Sequence, residues 1–265
     1  EGLSLGELKA EGYDAILLAI GLQKSRILNV EGSTSPEVLG GLDFLRDVRL
    51  GRDVRVKDRV LVVGGGNVAM DVALTALRLG AKQVQAVCLE KPEEMPAFPW
   101  EVQQATEEGV GIHNSWGVKR ILVNDDGKRV TGIELIRCVS VFDQEGRFNP
   151  AFDESTTKTI GADMIIFAIG QAPDLKGLGG ADSLKLTKLG TLEVNDSTLE
   201  TSVAGVFACG DVVKGPASIV DAVALGRRAA SAIDRHLGGG GNIDEALVPS
   251  EKPNPWLGRE EAFAS

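Results

Sequence analysis

Four short apolar runs along the chain each end in, or run into, glycine. They are residues 12–21, 59–64, 162–170 and 205–211. Each is rich in Ile, Val, Leu or Ala and is apolar on both alternating faces. That pattern fits strands covered on both sides, as in a parallel sheet; buried helices would be longer and would not stop at glycine. The first and third runs also match each other. DAILLAIG (14–21) and DMIIFAIG (163–170) share Asp, Ile, Ala, Ile and Gly at equal offsets. Two readings stand: chance likeness between buried strands, or two equivalent strands on either side of an inserted unit.

Helices are predicted between the runs. Residues 67–79 carry Asp71, Thr75 and Arg78 as one polar stripe at helical spacing, with Asn67 to cap the start and Gly80 the end. Residues 99–108 open with Pro99 and stop at Gly109. Residues 219–236 form a third helix, closed by the glycines at 238–241. Residues 119–160 change period. Apolar and polar positions alternate around Asp125-Asp126-Gly127 and Gln144-Glu145-Gly146, an antiparallel meander with turn signals. The Gly- and Pro-rich tail from 238 is expected to be an extended surface arm.

Charge and composition narrow the function. The 265 residues carry 28 Lys+Arg against 38 Asp+Glu, a formal net charge of -10, which repels a phosphate backbone and disfavours nucleic acid. No run approaches the roughly eighteen apolar residues of a membrane span. Cys88, Cys138 and Cys209 lie far apart with no Cys-x-x-Cys pair, and there are only 2 His. Neither a thiolate cage nor a His-rich site follows, so no metal ligand is assigned. The 33 glycines are about one residue in eight, well above the average, and point to tight strand-to-helix turns.

The sharpest chemical signal is VLVVGGGNVAMDVA, residues 60–73. Gly64-x-Gly66-x-x-Ala69 follows a strand and opens a helix, the context a dinucleotide fingerprint requires. Gly64 permits the tight turn, Gly66 lets the backbone approach a pyrophosphate, and Ala69 lets the helix pack close to the strand. The helix start then offers free N–H groups and a partial positive charge. The plain alternative is a tight turn with no ligand. Strand 83–89 follows, and Glu90 after it is placed to accept from the adenosine ribose 2′-OH. The alternative for Glu90 is a solvated strand-end carboxylate. Lys91 could instead reach a phosphate, but Pro92, Glu93 and Glu94 make a poor 2′-phosphate clamp. NAD is therefore the expected cofactor, with NADP less favoured.

At these residues the chain resembles the pyridine-nucleotide and flavin module of the glutamate synthase small subunit. The same module occurs in dihydropyrimidine dehydrogenase and in the flavin subunits of bacterial iron–sulfur electron-transfer complexes. The segments that carry the likeness are GGGNVAMDVALTALRLGA (64–81), EEMPA (93–97), EEGV (107–110), FAIGQAPD (167–174) and GVFACGDVVKGPASIVDAVALGRRAA (205–230). The resemblance implies an FAD domain interrupted by an inserted NAD(P)H domain, with the two AIG strand ends, including Gly21, at the crossings. It assigns Gly64, Gly65, Gly66, Asn67, Val68, Ala69 and Glu90 to the nicotinamide dinucleotide, together with Ala168, Ile169 and Gly170. It assigns Gly210 and Asp211 to the FAD ribityl chain, and Ser218 and Ile219 to the flavin ring through backbone N–H groups. Two departures stand out. NADP-using members carry arginines where this chain has Leu89, Glu90 and Pro92. The upstream FAD fingerprint and iron–sulfur cysteines have no counterpart here, so the chain reads as the C-terminal part of a longer flavoprotein and is expected to retain little FAD alone.

The fold class expected is α/β: a Rossmann-like FAD/NAD(P)-binding fold, with an NAD domain inserted in a partial FAD domain and an antiparallel β meander. The boundaries expected are 1–51 (partial FAD domain), 52–172 (NAD(P) domain) and 173–265 (second FAD part and tail). The function expected is that of an NAD(P)H-dependent flavoprotein oxidoreductase. Hydride passes between nicotinamide and flavin, and electrons go on to iron–sulfur centres on upstream sequence or a partner subunit. No catalytic side chain is nominated; Glu101, after EEMPA, either faces the nicotinamide or simply faces solvent. A cytoplasmic location is expected. Two other classes remain: an NAD-binding scaffold without flavin chemistry, and a disulfide reductase of the same fold.

Overall fold

The computed structural model of the chain describes residues 3–243, so most of the tail expected from residue 238 lies outside the described residues. The chain forms two compact units. One comprises Ile20–Gly177 with Lys188–Thr191; the other comprises the residues up to Ala19, Leu178–Thr187 and those from Leu192 onward.

The first unit contains strands β1 (Val38–Gly40), β2 (Arg59–Val63), β3 (Gln83–Val87), β4 (Gly111–His113), β5 (Trp116–Val123), β6 (Val130–Phe142), β7 (Phe148–Gly161) and β8 (Met164–Phe167). Its helices are α1 (Gly41–Arg49), α2 (Asn67–Arg78) and α3 (Pro99–Glu107). Five strands make one parallel sheet in the order β1-β8-β2-β3-β4. The alternation of a strand sends neighbouring side chains to opposite faces, and both faces are used. Val60, Val62, Val84, Ala86 and Ile166 pack with Ala69, Val72, Ala73 and Ala76 of α2. Leu61, Val63, Val87, Ile165 and Phe167 pack on the other side with Ile121, Ile133, Leu135 and Ile160 of the meander. This is why the runs at 59–64 and 162–170 are apolar at successive positions. The meander β5, β6, β7 is antiparallel in the order β7-β6-β5, turning at Gly127 and Gly146. At the outer end of the sheet the Arg59 guanidinium grips Asp163 and holds its carboxyl below the usual range.

Three expectations change here. The unit begins at Ile20, not at residue 52: β1 pairs with β8, with Ile165 opposite Val38, and α1 packs on α2, so residues 38–49 extend this sheet. The two AIG strands are not equivalent. Met164–Phe167 is a central strand of the five-stranded sheet, whereas Ile16–Leu18 pairs in parallel with Val206–Ala208 in the other unit. Nor does Asn67 cap α2. The N-cap is Gly66, with no side-chain cap, and Asn67 Oδ1 instead accepts from the Phe98 N–H at 2.9 Å.

In the second unit Val206, Phe207 and Ala208 are fully buried. A short helix, Asp211–Lys214, follows them, and then α4 (Ile219–His236). No described helix is long and apolar enough to cross a membrane.

Candidate dinucleotide site

β2 runs straight into the turn Gly64-Gly65-Gly66 and then α2. The three glycines are not alike. Gly64 has φ +144, and a Cβ there would drive into the carbonyl oxygen of Ala168 at the end of β8. At Gly65 a Cβ would sit 2.8 Å from Glu90 Oε2 and 2.9 Å from Cys88 Cβ. At Gly66 the nearest atom would be Pro96 Cγ at 3.9 Å. The chain's own packing therefore demands glycine at 64 and 65 but not at 66, where the added space opens above the helix start. That start has no capping side chain and no acidic residue in its first turn. The first N–H groups of a helix have no intrahelical partner, so Asn67 and Val68 begin α2 with its positive end uncovered. Ala69 is wholly buried, and its Cβ is 3.3 Å from where a Gly64 Cβ would lie.

The segment after β3 walls this turn. Ala97 N–H donates to the Gly65 carbonyl at 3.1 Å. Glu90 directs its carboxylate toward Gly65. Lys91 is spent locally, 3.1 Å from Glu94 Oε1. The ends of β2 and β8 abut, Ala168 N–H donating to Val63 O at 2.7 Å, while the Gly170 carbonyl accepts from Arg26 N–H. Ile169 packs against the meander side. These contacts bring Gly64, Gly65, Gly66, Asn67, Ala69, Glu90 and Ala168 together, and they leave Lys91 outside. Glu101 is half-buried on α3, not solvent-facing, and its Oε2 is buried without a hydrogen-bond partner among the described residues. Burial, and then the charge of Asp71 on α2, raise its pKa.

A polar cluster that the sequence reading missed lies on the meander side of the sheet. His113 Nε2 is 2.7 Å from Gln85 Oε1, and Lys158 Nζ is 3.2 Å from His113 Nδ1. With the ammonium donating, Nδ1 accepts and Nε2–H donates to Gln85. Burial, and then the Lys158 charge, lower the His113 pKa and favour this neutral ring. Lys158 and Arg137 both sit over the Trp116 ring, at 5.9 and 5.4 Å. Trp116 N–H donates to Cys88 O and Ser115 N–H to Glu90 O, which ties the cluster to the end of β3.

The second unit holds the other nominated residues. Gly210 has φ +75 and turns the chain out of the Val206–Ala208 strand into Asp211. The N-cap of the short helix is Gly210, which has no side chain to cap it, and Asp211 is the first helical residue. Ser218 is already engaged: its hydroxyl and Asp221 form a reciprocal capping box, and its N–H donates to Asp221 Oδ2 at 3.3 Å. The expected role of that N–H toward a ring is thus taken by the chain itself. Ile219 leaves its side chain 84% exposed. Gly21, in the first unit, takes φ +63. The three cysteines are buried and free, and burial raises each thiol, Cys88 to about 12. None is a ready thiolate.

Comparison with known proteins places this geometry. Residues 3–226 match the family model described as pyridine nucleotide-disulphide oxidoreductase. The chain is 41% identical over 229 residues to the NADP(+)-dependent formate dehydrogenase subunit beta of Moorella thermoacetica, covering 85% of this chain and 32% of that protein. It is 36% identical over 244 residues to the glutamate synthase [NADPH] small chain of Azospirillum brasilense, covering 87% and 50%. The NADPH-Fe(3+) oxidoreductase subunit beta of Geobacter sulfurreducens is 35% identical over 259 residues, with 89% and 38% covered. The chain thus spans a third to a half of the length of these relatives. Among solved structures, Mycobacterium tuberculosis FprA in complex with NADPH superposes with a TM-score of 0.71 at 17% identity, over 88% of this chain and 66% of that one. The T. acidophilum thioredoxin reductase gives 0.60 at 23% identity, over 85% and 66%. These two share the α/β fold of FAD/NAD(P)-binding reductases. On the family match over most of its length, the chain belongs to the pyridine nucleotide-disulphide oxidoreductase family, and within it resembles the glutamate synthase small subunit.

Proposed function

We propose that this chain is the pyridine-nucleotide-binding part of an FAD-dependent oxidoreductase. The observation that carries this is Gly66. Nothing among the described residues needs a glycine there, yet the missing Cβ leaves room above an uncapped, unacidic helix start. A pyrophosphate fits that room and those N–H groups. Glu90, turned toward Gly65, accepts from an adenosine ribose hydroxyl. Taken alone it favours NAD(H), because it repels a 2′-phosphate. The strand end Ala168-Ile169-Gly170 borders the same turn. Asp211, in an uncapped helix start after Gly210, is the acceptor for a ribityl hydroxyl of FAD.

In the whole protein the bound nicotinamide and flavin exchange a hydride. This chain's residues supply position and exclusion of water and need no side-chain acid or base. The relatives named as small or beta chains support a partner subunit, and electrons leave to iron–sulfur centres on such a partner or on upstream sequence.

The test is titration of the chain with NADH, followed by energy transfer from tryptophan to the nicotinamide. Wild type should show saturable binding, and Gly66→Val should fold with an unchanged melting curve and show none. A folded Gly66→Val chain that binds NADH like wild type would refute the reading.

A further inference from the structure

The cations over Trp116 are unusual for this protein. The formal net charge is -10, and even exposed arginines are matched by acids, as Arg46 is by Asp43, Arg59 by Asp163, Arg78 by Glu108 and Arg120 by Glu134. Arg137 and Lys158 are half-buried, converge on one ring, and make no ion pair among the described residues. Two like charges brought together cost energy unless an anion completes them. The other groups of the cluster are Gln85, which is neutral, and His113, whose neutral form burial and the Lys158 charge favour. Asp153, opposite Arg137 in the strand register, turns its carboxylate to Ser155 and Thr156 and forms no ion pair with either cation among the described residues. Glu90, joined to the cluster through the Ser115 N–H, has its carboxylate turned to Gly65 and forms no ion pair with either cation among the described residues.

The cluster's place is as informative as its charge. Trp116 and Ser115 are hydrogen-bonded to Cys88 and Glu90, at the end of the second strand of the βαβ unit. In a βαβ dinucleotide unit that strand end meets the adenosine ribose. Residues 89–92 themselves offer no free cation, since Lys91 pairs with Glu94.

We infer that Arg137 and Lys158, backed by Trp116, form a phosphate subsite that takes the adenosine 2′-phosphate of NADP(H), while Glu90 holds the ribose hydroxyl that remains. The inference rests on the dinucleotide reading of the Gly64–Ala69 turn and adds to it. Arg137 supplies a planar fork suited to a phosphate, and Lys158 a point charge beside it. The chain therefore accepts NADP(H) through residues of the meander, not through the loop after the second strand.

The test uses the chain with four probes: 2′,5′-ADP, 5′-AMP, NADH and inorganic phosphate. Wild type should bind 2′,5′-ADP about tenfold or more tighter than 5′-AMP, as charge-assisted hydrogen bonds to a phosphate require. Arg137→Met and Lys158→Met keep the aliphatic packing on Trp116 and remove the charge. Each should lose about tenfold for 2′,5′-ADP and leave 5′-AMP and NADH unchanged. Arg137→Lys should restore part of the loss. Wild type that binds NADH but does not prefer 2′,5′-ADP overturns the subsite and leaves the dinucleotide site standing. A folded double variant that keeps the preference also overturns it. So does competition by inorganic phosphate as strong as that by 2′,5′-ADP, since the nucleotide is then irrelevant. Failure to bind NADH and 2′,5′-ADP at all removes both proposals together.

Discussion

Two helices in this chain begin in opposite ways. α4 is closed by its own side chains. Ser218 accepts from the Asp221 N–H, Asp221 takes the Ser218 N–H and hydroxyl, and Lys214 pairs with Asp221 at 2.6 Å. α2 starts from Gly66 with no cap and no acid in its first turn. A helix start left uncapped forgoes on the order of 1 kcal/mol that a Ser or Asp would contribute. The fold takes that contribution in one unit and forgoes it in the other. The difference identifies which helix start is kept for a group from outside the chain.

The strongest way to break the contrast is to make α2 resemble α4. Gly66 has φ -94 and ψ 177, which suit any residue, and there is room for a Cβ. Gly66→Asp should hold or slightly raise the melting temperature. It should cut NADH affinity by about a hundredfold or more, because a carboxylate then occupies the anion's place. Calorimetric titration beside a thermal melt reads both. Gly64→Ala probes the opposite glycine. Its Cβ meets the Ala168 carbonyl at a positive φ, so the loss should be stability, about 3 kcal/mol in a urea melt.

Smaller effects sharpen the picture. Glu90→Gln removes the repulsion of a 2′-phosphate and should raise the NADPH-to-NADH affinity ratio by about tenfold. Ser218→Ala should cost about 1 kcal/mol of stability and leave NADH binding alone. The smallest effect is in acid. Hydrogen bonds from Lys214 and Ser218, with the Lys214 charge, depress the Asp221 pKa from 3.8 to about 2. A depressed carboxylate contributes stability above its unfolded pKa and loses it as the pH falls through the folded one. Denaturant melts should therefore weaken between pH 4 and 2, and Asp221→Asn should flatten that slope.

Much of this was legible in the sequence, for identifiable reasons. The runs at 60–64 and 164–170 are apolar at successive positions because helices cover one face of the sheet and the meander covers the other. The helix spans 67–79, 99–108 and 219–236 each fall within about a residue of the observed ends, since Gly80, Gly109 and the glycines from 238 stop them. What escaped depended on partners far along the chain. Asn67 has the chemistry of a cap, but the Phe98 N–H competes for its oxygen. β1 is three residues long, too short to show a period, and only β8 defines it as part of the sheet. Trp116, Arg137 and Lys158 stand on three strands whose register shifts by a bulge between Asp153 and Thr157, so alternation alone does not bring them together. Gly66 also looks like its neighbours in sequence; only the emptiness around it in the fold separates it from Gly64 and Gly65.

The strand order of the five-stranded sheet also constrains how the chain folds. β8 lies between β1 and β2, yet it is made last of the three. On a growing chain β1 has no neighbour, and β2 keeps an open edge, until residues 164–167 emerge. Such long-range parallel pairing is slow, because the intervening loop must close before any contact rewards it. The unpaired edge of β2, with Val60 to Val63, is then exposed to other chains. Refolding should be slower, and more prone to aggregate as protein concentration rises, than the local βαβ unit of β2, α2 and β3 would suggest. The arrival of Met164–Phe167 is the step that ends that exposure.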